Sequence, residues 1–260
     1  MKVSIIIPAF NEEDRIQPML DLYLAHFVPL YGDDMECVVI VNGSDDRTAE
    51  ICRGYAARFP QVRVTEERRA IGKGGAVMLG FREARGELVG FVDADGATPP
   101  DAFQALIEGI GSAGAIIASR WLPASSVSPP QPLSRRIASR IFNGMVRILF
   151  DLPITDTQCG AKLMKREAVA AILPNLGLTQ WAFDVDLLFQ LRRAGYGITE
   201  IPTTWHDVLG SKVNVPKASA QMTIAILRLR LIHSPFRWVV TLYNATIGRV
   251  LHGTGEEPDD

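Results

Sequence analysis

Four short apolar runs, each followed by a polar loop, constrain the fold of this chain most strongly. The runs are Val3 to Ile7, Cys37 to Val41, Val62 to Thr65 and Leu88 to Val92, and a segment with helical spacing of apolar residues follows each of the first three. Continuous apolar runs rich in β-branched residues are typical of strands that are buried on both faces of a parallel sheet. The alternation therefore predicts an α/β fold with a doubly wound, mostly parallel sheet flanked by helices.

The polar loops after these strands are expected at one edge of the sheet, because ligands of such folds bind at the carboxyl ends of the strands. Asn11 and Glu12 follow the first strand and could contact a nucleotide or cap the next helix. The third loop, Gly72-Lys73-Gly74-Gly75, combines backbone amides at a helix start with a lysine, which suits a diphosphate. It has the spacing of neither a P-loop nor a dinucleotide-binding GxGxxG loop.

Asp93 and Asp95 directly follow the fourth strand and are separated by one alanine. Residues two apart on an extended chain project to the same side, so the two carboxylates can converge. Converging carboxylates repel each other unless a cation lies between them, and Mg²⁺ with substrate phosphates is a common solution. The alternative is a turn in which aspartate caps the following helix. Together with the lysine loop, the pair indicates a metal-bound nucleoside diphosphate.

Composition excludes several classes of protein. With 260 residues, 47% of them hydrophobic, the chain can bury a core without a structural metal or disulfides. A net charge of -2 argues against nucleic-acid binding. Three cysteines without paired spacing indicate reduced thiols in a cytosolic protein. The first apolar run is too short for a signal sequence, and we expect no membrane-spanning segment, so any membrane contact is peripheral.

Eight motifs in collinear order resemble the family 2 inverting glycosyltransferases of the GT-A fold. They are PAFNEE, VNGSDD, GKGGA, FVDADGATPP, ASR, TDTQCGAK, FDVD and EIPTTWHDVLGSK. Within that family the chain is similar to the dolichyl-phosphate glucosyltransferases and mannosyltransferases. The resemblance implies a metal-dependent hexosyltransferase that uses UDP-glucose or GDP-mannose, Mn²⁺ or Mg²⁺, and a dolichyl or other polyprenyl phosphate as acceptor.

The same resemblance implies a domain organisation. A GT-A domain would span residues 1–215, with a nucleotide-sugar-binding half at 1–120 and an acceptor-binding half at 121–215. Residues 216–252 alternate apolar runs with arginines and aromatics, which predicts amphipathic helices that lie in a membrane interface or pack on the domain. Residues 253–260 are expected to be a disordered tail. We therefore expect a cytoplasmic protein at the cytoplasmic face of a membrane.

The resemblance assigns nucleotide-sugar binding to residues that match the family's motifs. They are Pro8, Ala9, Asn11, Glu12, Asn42, Lys73, Gly74, Asp93, Ala94, Asp95 and Arg120. Asp93 and Asp95 match the metal-binding DxD motif. Val41 and Asn42 replace the two acids of the family's usual Asp-Asp-Gly-Ser turn. Ala97 stands where many mannosyltransferases have a metal-binding Gln, and His206 is a candidate for the missing ligand or an ordinary surface histidine.

The acceptor half contains a proline-rich loop at 123–132, and we interpret this loop as a mobile lid. An arginine cluster follows the loop. By resemblance, the acceptor phosphate would be bound by Arg120, Arg135 and Ser139, with Ser211 and Lys212 as second choices. Arg135 and Ser139 are four residues apart and so share a helix face. The alternative for this cluster is a solvated basic helix end.

Asp95, Asp156 and Asp184 are the candidate catalytic acids. A phosphate acceptor is already anionic and needs no general base, so Asp156 and Asp184 would bind the sugar or order the acceptor. If the acceptor is a glycan or lipid hydroxyl, Asp184 becomes the general base. More remote alternatives are a sugar nucleotidyltransferase and a sugar-nucleotide-binding module.

Overall fold

The structure is a computed structural model that describes residues 1–177, 182–206 and 215–234. The chain divides into two units, Met1–Val213 and Asn214–Asp260. The described elements of the first unit are, in chain order, β1 (Val3–Ala9), α1 (Ile16–Tyr31), β2 (Met35–Asn42), α2 (Thr48–Arg58), β3 (Val62–Glu67), α3 (Gly72–Glu83), β4 (Leu88–Phe91), α4 (Pro100–Gly109), β5 (Ala115–Ser119), β6 (Ser126–Ser128), α5 (Leu133–Phe150), β7 (Lys162–Lys165), α6 (Arg166–Ile172), α7 (Phe183–Arg193), β8 (Ile198–Pro202) and β9 (Thr204–His206). In the second unit the described element is α8 (Val215–Ile232).

In the described part of the chain, seven strands form one sheet in the order β3-β2-β1-β4-β7-β5-β8. Strand β7 is antiparallel to both of its neighbours, and the other pairs are parallel. The prediction of a mostly parallel sheet is confirmed, and the antiparallel β7 was not predicted. The strand order reverses between β1 and β4, which creates the crevice where ligands of doubly wound sheets bind.

The predicted strands form the centre of the core. The side chains of β1 and β2 are almost all buried, as expected for strands that are covered by helices on both faces. On one face, Tyr23 and Phe27 of α1 pack against Phe103 of α4. These contacts join α1 and α4 within the hydrophobic core that includes β1 and β2.

The loop between β5 and α5 differs from the sequence-based expectation. Part of it forms β6, which pairs in parallel with β9, so that Ser126 lies opposite Thr204 and Ser128 opposite His206. The proposed lid therefore includes a short strand that is tied to the end of the first unit. Among the helices that the structure describes, none is long and apolar enough to cross a lipid bilayer. Within the segment 216–252, residues 235–252 lie outside the described residues.

Helix α3 lies unusually close to β1 because Gly80 faces the sheet. A Cβ atom at Gly80 would collide with the side chain of Ile6, which is fully buried. Gly54 in α2 offers a contrast, since a Cβ there would meet no atom within 4 Å.

We expect Gly80→Ala to lower the free energy of unfolding and Gly54→Ala to raise it. Overpacking a core costs about 1 to 3 kcal/mol, which exceeds the gain of up to about 1 kcal/mol that alanine brings to a helix. At Gly54 only the gain applies. Urea unfolding of both variants beside the unmodified chain measures the two effects. Equal stability changes would contradict the close packing of α3 on β1.

Candidate active site

A cleft of about 560 Å³ opens where β1, β2 and β4 end. This volume is typical of sites for small ligands. Residues predicted from the sequence that line the cleft are Pro8, Glu12, Asn42, Lys73, Asp93, Ala94 and Asp95. The cleft is also lined by Gly72 of the predicted diphosphate loop and by three residues that were not predicted, Phe10, Arg15 and Ala70. The ring of Phe10 is exposed. Phe10 is part of the PAFNEE motif, so this motif could have identified it as a cleft residue.

The first two loops at this edge are joined by side-chain hydrogen bonds. Asn11 has a φ of 53°, and its Oδ1 accepts the backbone N–H of Asp45 at 3.0 Å. The backbone N–H of Glu12 donates to Thr48 Oγ1 at 2.8 Å. Helix α1 begins only at Ile16 and has no side-chain hydrogen bond at its N-cap. The carbonyl of Glu12 accepts the backbone N–H of Ile16 at 2.8 Å, so Glu12 contributes to the start of α1 through its backbone. The predicted nucleotide contacts of Asn11 and Glu12 stay predictions.

Glu12 extends into the cleft beside a second charged residue, Arg15. Arg15 Nε lies 2.5 Å from Glu12 Oε2. Burial nevertheless raises the pKa of Glu12, and the nearby Asp95 and Asp93 contribute in the same direction. The cleft therefore holds more negative charge on this side than Arg15 neutralises.

Asp95 lies in the turn that follows β4. Its Oδ1 accepts the backbone N–H of Ala97 at 3.0 Å, and Gly96 takes the positive φ that the turn requires. Asp95 therefore stabilises its own turn, whereas the N-cap of α4 is Pro99. Burial raises the pKa of Asp95, and the neighbouring charge of Asp93 raises it further. The two carboxylates thus repel each other, and an added cation would relieve that repulsion.

Asp93 is paired with Lys73. Lys73 Nζ lies 2.5 Å from Asp93 Oδ1 and 5.6 Å from the centroid of the Phe91 ring. Burial disfavours the charged amine, but Asp93 and Asp184 outweigh burial and raise the pKa of Lys73. A Cβ atom at Gly160 would collide with the Asp93 carboxylate. The glycine of the TDTQCGAK motif is therefore required where β7 approaches the DxD turn.

Gly74, a predicted diphosphate contact, has a different structural environment. A Cβ there would collide with the side chain of Phe183 in α7. The need for glycine at this position is thus explained by the packing of α3 against α7. The predicted binding role of Gly74 stays a prediction.

Lys162 and Asp184 form a second ion pair behind the cleft. Lys162 Nζ lies 2.5 Å from Asp184 Oδ1 and donates to the carbonyl of Cys159 at 2.7 Å. Burial alone would raise the pKa of Asp184, but Lys162 and Lys73 outweigh it and hold that pKa below its usual range. Asp184 is therefore ionised and a weak proton acceptor at neutral pH.

Arg120 and Asp156 form the third pair. Arg120 Nε and Nη2 donate to the two oxygens of Asp156 at 2.8 and 2.9 Å, and its guanidinium lies 4.9 Å from the Trp205 ring centroid. Burial opposes the ionised form of Asp156, but Arg120 holds its pKa below the usual range. Asp156 is fully buried with both oxygens bonded to Arg120. It thus holds Arg120 in place, and its predicted role in binding the sugar or ordering the acceptor stays a prediction.

The model of the family described as Glycosyl transferase family 2 matches residues 4–173. The chain belongs to this family.

Curated relatives of this family 2 glycosyltransferase extend the match over most of its length. It is 33% identical over 248 residues to a dolichyl-phosphate beta-glucosyltransferase of Trichomonas vaginalis. That alignment covers 91% of this chain and 73% of the relative. It is 32% identical to a dolichyl-phosphate beta-glucosyltransferase of Saccharomyces cerevisiae, with 88% of this chain and 74% of the relative covered. The expectation of a glycosyltransferase is confirmed.

Solved structures agree on the fold of this family 2 glycosyltransferase. One is glucosyl-3-phosphoglycerate synthase from Mycobacterium tuberculosis in complex with Mn²⁺, UDP and phosphoglyceric acid. It superposes with a TM-score of 0.65 at 20% identity and covers 88% of this chain and 78% of that one. The predicted GT-A fold is thereby confirmed.

The loop that carries Asp156 in this glycosyltransferase is held by side chains that were not predicted. Glu200 of β8 accepts the backbone N–H groups of Thr155 and Asp156 at 2.8 and 3.0 Å. Asn143 of α5 accepts the backbone N–H and hydroxyl of Thr157 at 3.0 and 2.8 Å. Arg147 of α5 donates to the carbonyl of Ile154 at 2.8 Å. Of these three side chains, Glu200 alone lies in one of the eight family motifs, EIPTTWHDVLGSK. The sequence therefore marked one of the three residues that hold the loop.

Other predicted acceptor residues lie on α5 or outside the described ranges. Arg135 and Ser139 share one face of α5, and the Ser139 carbonyl accepts the Asn143 amide at 2.9 Å. Ser211 and Lys212 lie outside the described residues. The acceptor-binding role of these two residues stays a prediction.

The candidate third metal ligand, His206, lies near the DxD turn. Its backbone N–H donates to the carbonyl of Ala97 at 2.8 Å, and its side chain is exposed. Among the described residues, no group of three or more His, Cys, Asp or Glu side chains is placed to hold a metal ion. The ligand role of His206 therefore stays a prediction.

We expect Asp156→Asn to lower the free energy of unfolding at pH 7 by about 3 kcal/mol or more, because it leaves the buried Arg120 without a counter-charge. The lowered pKa of Asp156 stabilises the unmodified protein above the unfolded pKa of about 3.9. That stability is lost as the pH falls through the lower folded pKa. The variant should lose this component of its pH dependence, which urea unfolding between pH 7 and acid pH measures.

Asp151→Asn is the matched control for this experiment. Asp151 is largely exposed and pairs with Arg192 at the surface, and asparagine tolerates its φ of 52°. Surface pairs contribute at most about 1 kcal/mol, so this variant should resemble the unmodified chain. An equal loss in the two variants would contradict the role of the buried pair.

Proposed function

We propose that this family 2 glycosyltransferase transfers glucose from UDP-glucose to a polyprenyl phosphate such as dolichyl phosphate, with inversion at the anomeric carbon. The observation that carries the proposal is the cleft in which Asp93, Asp95 and Lys73 meet at the strand-order switch. Its close relatives in sequence are named dolichyl-phosphate beta-glucosyltransferases. GDP-mannose is the alternative donor.

The cleft residues fit a nucleoside diphosphate. The exposed Phe10 ring offers a stacking surface for a base, and the buried Asn42 amide lies at the same wall. Lys73 and Arg15 add positive charge for the phosphates. We therefore place the base near Phe10 and the diphosphate near Lys73.

The donor set of this cleft also fits a divalent cation. Two adjacent carboxylates with mutual repulsion are the ligands that Mg²⁺ and Mn²⁺ accept in proteins. When bound by Asp93 and Asp95, such a cation would neutralise charge on the departing diphosphate. Mn²⁺ together with UDP in the synthase of similar fold supports this assignment. We propose His206 as an additional ligand.

The acid–base character of the site favours a phosphate acceptor. A phosphate monoester attacks the anomeric carbon as an anion, so no side chain has to remove a proton. Asp184 has a lowered pKa and is paired with Lys162, which makes it a poor general base. In our proposal Asp184 binds sugar hydroxyls, and Arg120, oriented by Asp156, binds the acceptor phosphate together with Arg135. Because the acceptor is a lipid, the enzyme would work at the cytoplasmic face of a membrane.

A thermal-shift panel tests the donor. UDP-glucose, GDP-mannose, UDP and GDP are each added with Mn²⁺ or with a chelator, and a ligand that binds the folded state raises the melting temperature. We expect a metal-dependent rise with UDP-glucose and UDP only. A rise in melting temperature with GDP-mannose and GDP instead would identify GDP-mannose as the donor. No rise with any nucleotide would refute the proposed function.

Transfer assays test the metal carboxylates. Asp95→Asn should lower the rate of glucosyl transfer to a short-chain polyprenyl phosphate by at least about a hundredfold, because it weakens binding of the cation that would neutralise the leaving diphosphate. Asp101→Asn, an exposed acid in the first turn of α4, is the matched control and should keep full activity. Metal-dependent transfer by the Asp95 variant at the normal rate would contradict the metal assignment.

A further inference from the structure

The outer face of α5 carries large apolar side chains in contact with solvent. Leu133, Ile137, Ile141 and Ile148 are 68%, 51%, 60% and 85% exposed. At about 100° per residue these four positions fall within about 80° of one another on the helix. Scattered exposed apolar residues are ordinary, but an aligned row on one helix marks an interaction surface. We call these four residues the apolar stripe.

A row of arginines runs along one side of the apolar stripe. Arg136, Arg140 and Arg147 lie within about 40° of one another on the same helix. The opposite face of α5 is buried through residues such as Phe142, Val146 and Phe150. The helix therefore has an inner face in the core, an outer apolar stripe and a basic flank. Its 18 residues include four arginines and no acidic residue.

We propose that the outer face of α5 docks on a membrane surface that carries anionic phospholipids. The apolar stripe would enter the boundary between headgroups and acyl chains, and Arg136 and Arg140 would contact lipid phosphates, while Arg147 keeps its hydrogen bond to the Ile154 carbonyl. Helices with this division of charge lie in the plane of a membrane interface. Each basic residue near an anionic leaflet contributes to binding. The charge of the helix thus complements the proposed lipid surface.

The charge distribution also argues against a second copy of the chain as the occupant of this face. A twofold interface brings the same patch of two molecules together. If the two α5 helices packed antiparallel across the twofold axis, their arginine rows would lie side by side with no acidic residue of either helix between them. Anionic lipid headgroups avoid this repulsion, and they are the occupant that the helix fits.

The docked helix would be directly linked to the site of the proposed reaction. Asn143 and Arg147 of α5 hold the loop that contains Asp156, and Asp156 in turn orients Arg120. The proposed function gives a reason for membrane docking at this helix, because its acceptor is a lipid. In this respect alone the docking proposal rests on the proposed function. The docking itself follows from exposure and charge.

Vesicle co-sedimentation of the full chain tests the proposal. Vesicles of phosphatidylcholine alone are compared with vesicles that also contain phosphatidylglycerol, at low and high NaCl. We expect salt-sensitive binding to the anionic vesicles. The triple variant Ile137→Ser, Ile141→Ser, Ile148→Ser should reduce that partitioning by at least about tenfold, because it removes the buried apolar area.

The matched control replaces exposed leucines on another helix. Leu22 and Leu30 of α1 are 59% and 58% exposed. Leu22→Ser with Leu30→Ser should leave partitioning unchanged if the outer face of α5 is the docking surface. Equal losses in the control and the triple variant would overturn the proposal, as would full binding by the triple variant or no binding by the unmodified chain.

Two further measurements separate this inference from other outcomes. Sedimentation velocity without lipid should show the same mass for the unmodified chain and the triple variant, whereas a smaller mass for the variant would assign the stripe to self-association and overturn the proposal. Transfer of glucose to a water-soluble short-chain prenyl phosphate should be equal in both. Anionic-vesicle binding without any such transfer would refute the proposed function and leave the docking surface standing.

Discussion

The active-site edge of the sheet depends on pairing buried carboxylates with cations. A buried anion without a partner is costly, and one with a well-placed partner is tolerated. The pairs at this edge are Lys73 with Asp93, Lys162 with Asp184 and Arg120 with Asp156. Asp95 differs, because burial and Asp93 raise its pKa and its turn supplies only a backbone hydrogen bond. Its charge is thus the least compensated of the four, which makes the DxD turn the place where an added cation gains the most.

The antiparallel strand β7 connects this electrostatic arrangement with the fold. It lies between β4 and β5, and its first residue, Lys162, contacts the ring of Phe91. Gly160, two residues before the strand, lies against the carboxylate of Asp93. The strands that end at the cleft and the strand that precedes Arg120 are therefore joined through a single short element. Any shift of β7 along β4 would move the cation of one pair and the glycine that makes room for another.

The parts of the fold and site that could be predicted from sequence are those with local causes. Apolar runs predicted β1 to β4, and the rule that ligands bind at the carboxyl ends of parallel strands brought the loops of Glu12, Lys73 and Asp93 to one cleft. Strand β7 has four residues, and its partners are distant in sequence, so no periodicity marks its direction. The pairing of Asp156 with Arg120 and the hydrogen bonds from its loop to Glu200 join residues that are distant in sequence. These contacts could not be predicted from local patterns either.

Helix α5 shows why a pattern of charges does not by itself reveal a role. Its arginines form one cluster in the sequence, yet the helix separates them onto different faces. Arg135 shares the face of Ser139, whereas Arg136 and Arg140 flank the exposed stripe. The physical consequence is that one helix presents arginine both to the proposed acceptor site and to its surroundings. A lipid phosphate acceptor has to reach a polar site from an apolar phase, and a helix with these two faces would shorten that path.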